Sequence, residues 1–150
     1  MTFKFSLQKI LDLRARLEQE AAAELSRAQK LLHEAEILLQ AQKSRREAHI
    51  QSWRENIQGQ LDMAGLRLYQ LGIAAIDERI NRQTEVLNEC QELVEKNRKD
   101  YLTARRRRKV LEKHKEKELV RFREEALRNE QKELDDVAGT RFARQEAASL

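Results

Sequence analysis

Proline is absent from the 150 residues, and glycine occurs only four times. Nothing in the chain therefore interrupts a helix over long spans. Aromatic residues make up 5%, which suits a thin packed seam better than a thick globular core. The one cysteine, Cys90, leaves no intrachain disulfide to staple a small fold. It reads as a small apolar residue in a reducing compartment. No apolar run is long enough to span a bilayer. The opening Met1-Thr-Phe-Lys-Phe-Ser-Leu7 lacks the unbroken apolar region and cleavage site of a signal peptide. The chain is expected to be made and kept in the cytosol.

Charge is what the sequence has in quantity, at 37% of residues. A chain so charged is disordered unless a sustained apolar repeat gives it something to bury. Such a repeat exists. Alternating steps of three and four from Ile76 visit Ile80, Gln83, Leu87, Cys90, Val94, Asn97, Tyr101, Ala104, Arg108 and Leu111, and later Phe122. Most of these are apolar, and the residues between are mainly polar. A repeat of 3.5 residues puts one seam on a slightly underwound helix, which must lie against another helix.

The first arm supplies that partner. Ala21, Leu25, Ala28, Leu32, Ala35 and Leu39 alternate by four and three, then Gln42, Arg46, His49, Trp53 and Ile57. Leu31 and Leu38 are expected to widen the seam. Leu7, Ile10, Leu11 and Leu17 are expected to continue it towards the start. Phe3, Phe5 and Leu7 allow an extended lead-in, but Ser6 as the cap of a helix from Leu7 is favoured.

The expected bounds are a first arm over 6–57, a turn over 58–65, a second arm over 66–139 and a frayed tail over 140–150, all one domain. Gly59 can end a helix and Asp62 can begin one. A connection this short makes the arms antiparallel neighbours. Paired residue numbers should then add to about 122. That sets Ala28 beside Val94, Ala35 beside Leu87, and Trp53 near Tyr69. The fold class is all-α, an antiparallel two-helix coiled-coil hairpin with a longer second helix projecting past the first. Beyond roughly residue 118 the second arm has no partner, yet Leu119, Phe122, Ala126, Leu134, Val137 and Phe142 keep an apolar trace there.

Charge is unevenly spread. Lys96 to Arg123 carries 13 Lys and Arg against 4 Asp and Glu, and Glu124 to Ala138 carries two against six. Arg105-Arg-Arg-Arg-Lys109 is a candidate phosphate-binding patch. A continuous run on a helix, however, spreads its charge over every face, whereas groove binders concentrate it on one. His33, His49, His114 and Cys90 share no metal-ligand spacing, and no glycine-rich loop follows a strand. No catalytic residue, metal site or cofactor is expected, and no small-molecule substrate.

The two ends carry a resemblance. Phe3-Lys-Phe-Ser-Leu-Gln-Lys-Ile-Leu-Asp-Leu-Arg14, followed by Leu17-Glu-Gln-Glu-Ala-Ala22, resembles the start of the flagellar FliJ family. Leu111-Glu-Lys-His-Lys-Glu-Lys117, Phe122-Arg-Glu-Glu-Ala126 and Glu130-Gln-Lys-Glu-Leu-Asp-Asp-Val-Ala138 look like that family's later helix. The resemblance implies a non-enzymatic, soluble component of the type III flagellar export apparatus. It implies a stalk at the centre of a hexameric export ATPase, promoting assembly and activity of the ring. It also implies contact with the cytoplasmic domain of the export gate and escort of export chaperones, at the cytoplasmic face of the inner membrane. The membrane would be met only indirectly, through the apparatus.

On the resemblance, the ring is met by Phe5, Leu7, Leu11 and Arg14 with Phe122, Asp135, Asp136 and Arg141. The family's gate patch is an aromatic, an aliphatic, a small residue and a histidine. Here it falls on Gly72, Ile76, Arg79 and Gln83, of which only Ile76 matches in kind. Tyr69 is the alternative aromatic, and plain seam packing is the alternative for Ile76. Other readings of the whole chain are a coiled-coil scaffold, an injectisome stalk homologue, and a basic nucleic-acid-binding helix.

Overall fold

The computed structural model describes residues 2–57 and 62–150. Helix α1 is Gln8–Asn56, 49 residues, and helix α2 is Met63–Ala148, 86 residues. Among the described residues there is no strand. The fold is an all-α antiparallel coiled-coil hairpin whose second helix is the longer. The chain falls into two compact units, one of Leu17–Ala104 and one of Met1–Arg16 with Arg105–Leu150.

In the Leu17–Ala104 unit, three side-chain bonds fix direction and register. Arg46 Nε donates to Asp77 Oδ1 at 2.7 Å, Gln83 Nε2 to the Ala35 carbonyl at 3.2 Å, and Asn97 Nδ2 to the Glu24 carbonyl at 3.3 Å. As one number of each pair rises the other falls, and the two add to about 122, as the repeat predicts. Gln83 and Asn97 sit on the seam itself. A seam amide without a partner would be costly, so reaching across to a main-chain oxygen both satisfies it and resists slippage. Ala28, Ala35, Leu39, Ile76 and Val94 are buried.

Four expected seam members are not in it. Leu31 is 49% exposed and Leu38 is 54% exposed. Each precedes a seam residue by one position, which turns it to the edge of the coil. Ile10 and Leu17 stand in the same phase and are also exposed, while Arg14 and Glu18 take the half-buried places beside them. Phase along the helix decided burial here, ahead of side-chain apolarity.

In the second unit, the start of α1 lies against residues 105–122 of α2. Lys115 Nζ donates to Gln8 Oε1 at 2.8 Å. The Phe5 ring meets His114 edge-on at 5.8 Å, and Phe3 meets Phe122 at 5.5 Å. Phe5 and Leu11 are buried. From Arg123 to Leu150 every residue is exposed, which is the unpaired length of the longer helix.

The helix ends depart from the expected bounds. Ser6 lies in a turn and does not begin α1. The Gln8 amide donates to the Phe5 carbonyl at 3.1 Å, and Leu11 to Leu7 at 2.9 Å, so Leu7 holds the cap position. Seating Phe5 against His114 of α2 outweighs the gain from a serine cap. Residues 58–61 of the expected turn, Gly59 included, lie outside the described residues. Helix α2 starts at Met63, three residues before the expected position. Asp62 caps it, with Oδ1 accepting from the Ala64 amide at 3.1 Å and its carbonyl from Leu66 at 3.0 Å. At the far end α2 passes through Gly139 to Ala148, beyond the expected stop. A glycine costs a helix only about 1 kcal/mol, too little to end one flanked by good helix formers.

Two glycines inside α2 are therefore open to replacement. A Cβ on Gly65 would meet Trp53 at 3.8 Å, an ordinary contact, and one on Gly139 would meet nothing within 4 Å. Gly65→Ala should raise hairpin stability by roughly 0.5–1 kcal/mol in urea unfolding. Gly139→Ala should raise far-UV helicity without moving the hairpin's midpoint, because that residue packs on nothing. A fall in either quantity would contradict the helical assignment at that glycine.

Candidate partner-binding surfaces

With a seam this narrow, anything the chain recognises must lie on its ends, edges or unpaired length. The unit that holds the start of α1 offers three such surfaces. The first is an aromatic cluster. Phe5 is buried against His114, Phe122 is half-buried against Phe3, and Leu7 is half-buried beside them. Phe3 was not among the expected site residues. Carrying the register past the helix start would have set it near residue 119, within one helical turn of Phe122.

An open cleft of about 530 Å³ adjoins this cluster, lined by Phe3, Lys4, Phe5, Lys9 and Lys115 among others. A shallower groove lies between Ile10, Arg14, Arg107, Val110 and Leu111. Arg14, expected at the ring contact, forms part of its wall.

The second surface is the unpaired length of α2. Asp135, Asp136 and Arg141 stand on it, all exposed. They are not gathered with the aromatic cluster: thirteen residues of helix, about 20 Å, separate Phe122 from Asp135. The apolar trace also divides. Leu119 and Phe122 are half-buried and belong to the seam. Val120, Leu127 and Leu134 recur every seven residues, are 53%, 65% and 69% exposed, and lie on the opposite face of the helix. Val137 flanks them. An apolar stripe away from the seam serves no packing within the chain.

The third is the Arg105-to-Lys109 run. Arg108 is half-buried and pairs with Glu112 at 2.5 Å. Arg105, Arg106, Arg107 and Lys109 are exposed and point in different directions around the axis. That is the arrangement expected of a solvated helix turn.

In the Leu17–Ala104 unit the turn end carries a stack of three rings. Trp53 lies on Tyr69 at 4.7 Å and 14°, and His49 on the same tyrosine at 5.3 Å and 8°. Tyr69, the alternative gate aromatic, is thus half-covered within the hairpin. Of the other expected gate residues, Ile76 is buried in the seam and Gln83 is engaged with Ala35. Only Arg79 is exposed. A little farther along, Asp77 holds Arg46 by a hydrogen bond and by charge, and so raises the guanidinium above its usual value.

At Gly72, where the resemblance implies an aromatic, the structure leaves no room for one. A Cβ at that position would lie 2.7 Å from His49 Nε2 and 3.0 Å from Cε1. The histidine ring of α1 fills the space that a larger residue of α2 would need. Its Nε2 is buried with no hydrogen-bond partner, so the stack keeps this ring in place at some polar cost. Gly72→Ala should therefore destabilise the hairpin by about 1–2 kcal/mol, the clash outweighing the helix gain. In a His49→Ala background the same change should stabilise by about 1 kcal/mol. Equal effects in the two backgrounds, measured by urea unfolding, would show that the ring does not hold that space.

One further surface follows from the register. Leu31 faces Leu93, and Leu38 faces Val86, along one edge of the seam. All four are more than a third exposed.

Among the described residues no helix is long and apolar enough to cross a membrane, and no three His, Cys, Asp or Glu residues gather as metal ligands would. The family model described as "Flagellar FliJ protein" matches residues 3–147. No curated protein sequence matches the chain. Among solved structures, a protein described as a YscO homolog, CT670 from Chlamydia trachomatis, superposes with a TM-score of 0.70 at 18% identity. The match covers 91% of this chain and 93% of that one, and it supports the fold.

Proposed function

The chain belongs to the FliJ family, and from that premise we propose that it is the central stalk of the flagellar export ATPase ring. In this reading it adds no catalytic group, binds no cofactor, and acts by helping the ring assemble and turn over. The observation that carries the reading is the unpaired length of α2, helical to Ala148, exposed throughout, and striped with apolar residues that stand open to solvent among the described residues. A hairpin whose longer helix is left free can be gripped by a surrounding ring without unfolding. The exposed Asp135, Asp136 and Arg141 are the ring-facing polar groups. Phe5, Leu7, Leu11 and Phe122 shape the end on which the ring closes, largely from within. The description of the similar solved structure as a YscO homolog agrees with a role in a type III apparatus.

The turn end of the hairpin, around Tyr69, Gly72, Ile76, Arg79 and Gln83, is proposed to face the export gate. Arg79 and the rim of the Trp53–Tyr69 stack are what it can present there, since Ile76 is spent on the seam. Export chaperones are the third class of partner, and the place of work is the cytoplasmic face of the inner membrane. The direct test is phosphate release by the export ATPase of the same flagellar system, with and without the full chain. Activation that saturates with added chain is expected, and unchanged turnover would remove the stalk reading.

A further inference from the structure

The cleft beside the aromatic cluster is chemically one-sided. Its lining is Phe3, Lys4, Phe5, Ser6, Gln8, Lys9 and Lys115, with three ammonium groups and no carboxylate. Among the described residues Lys4 and Lys9 make no ion pair, and the half-buried Lys115 spends one donor on a neutral amide, Gln8 Oε1. That amide is itself held, because Gln8 Nε2 donates to Asp12 Oδ1 at 2.8 Å. Lys115 is thereby fixed at the wall with two N–H groups left for a ligand. The floor is different in kind. Phe5 meets His114 edge-on and Phe3 packs on Phe122, so the cleft offers ring surface, chiefly that of the half-buried Phe3, beneath a rim of positive charge.

We propose that this cleft seats a short acidic segment of a partner protein, one apolar side chain against Phe3 and Phe5 and its neighbouring carboxylates on Lys4, Lys9 and Lys115. Charge complementarity selects the occupant. A free anion would gain nothing from the rings, and a purely apolar helix would leave three ammonium groups against it. A nucleic-acid backbone calls for cations spaced along a groove, whereas these three ring a single pocket. Resting on the stalk reading, the assignment adds that the ring protein supplies the segment.

The test has two arms. In the first, the full chain labelled with nitrogen-15 is titrated with a synthetic peptide alternating Glu and Leu, and with its Gln-for-Glu counterpart. Amides of residues 3–9 and 115 should shift with the acidic peptide alone. The shifts should disappear in a Lys4→Gln, Lys9→Gln, Lys115→Gln variant whose thermal unfolding matches the parent. No shift at millimolar peptide would overturn the proposal, as would equal displacement of the peptide by single-stranded DNA or by anionic vesicles. In the second arm, binding to the ring protein is measured by calorimetry. The triple variant should bind roughly tenfold more weakly, with most of the parent's salt dependence gone. Peptide binding together with unchanged ring binding would uphold the cleft and overturn the ring as its source.

Discussion

Ending the chain after Arg123 is expected to abolish activation of the export ATPase while leaving the unfolding midpoint of the hairpin where it was. The two halves of this expectation have separate grounds. Residues 124–150 are exposed throughout, so removing them should take nothing from the seam. Phe122, the last residue of α2 packed against the start of α1, is retained. Activation should be lost because the removed piece carries Leu127, Leu134 and Val137 together with Asp135, Asp136 and Arg141. A helix of this length standing alone in water is only marginally stable, and an exposed apolar stripe adds a cost that a partner would relieve.

The shortened chain also allows a finer division. If the ring grips the stripe, Leu127→Glu with Leu134→Glu in the full chain should reproduce the loss. If it grips the polar groups, Asp135→Asn, Asp136→Asn and Arg141→Gln should do so. Full activation by the shortened chain would take the unpaired length out of the mechanism altogether.

The count that located the seam used only the spacing of residues, and it succeeded where spacing is what matters. Every position reached from Ile76 to Leu111, and again at Phe122, is buried or half-buried, including the polar Gln83, Asn97 and Arg108. Those three would have been rejected on hydropathy. Residue type misleads where it departs from phase, at Ile10, Leu17, Leu31 and Leu38. Local punctuation is a weak signal for the same reason. Ser6 and Gly139 are good boundary residues in isolation, but each preference is worth about a kilocalorie. Tertiary packing of Phe5 in one case, and plain helix continuation in the other, set the boundary instead.

The candidate surfaces were legible to different degrees. Asp135 and Asp136 could be placed on the unpaired helix from sequence alone, because the unequal arms already implied it, whereas Arg141 falls in the expected frayed tail and joins them only because α2 continues past Gly139. The gate residues could not. Whether Gly72 is a gap in a binding patch or a seat for His49 depends on a ring on the other helix. No single-chain pattern encodes that distance. The cleft was legible in part: the register already sets Lys115 opposite Gln8, but the placing of Phe3, Lys4 and Phe5, which precede the helix, follows no helical count.

Ala28→Leu should unfold the hairpin several degrees earlier, and Val94→Ala should cost less in that background than in the parent chain. Ala28 is 1% exposed and Val94 6%. Their numbers add to 122, the value that the three cross-helix bonds bracket. Alanine at this level lets the axes approach closely, and valine fills what remains. A leucine in place of Ala28 has nowhere to go without spreading the helices or leaving its rotamer, at a cost of roughly 1–3 kcal/mol. Val94→Ala alone opens a void and should cost about 1–3 kcal/mol. Together the two nearly conserve volume, so the double variant should be more stable than the sum of the single losses requires, by about 1–2 kcal/mol. For a chain of this length each kilocalorie corresponds to about 2–4 °C, well within reach of calorimetry. Simple additivity would mean that Ala28 and Val94 do not meet, and that the register fixing which residues remain beyond the first arm is shifted. The free length of α2 is set by that register. The same measurement therefore bears on how much helix is left for a ring to hold.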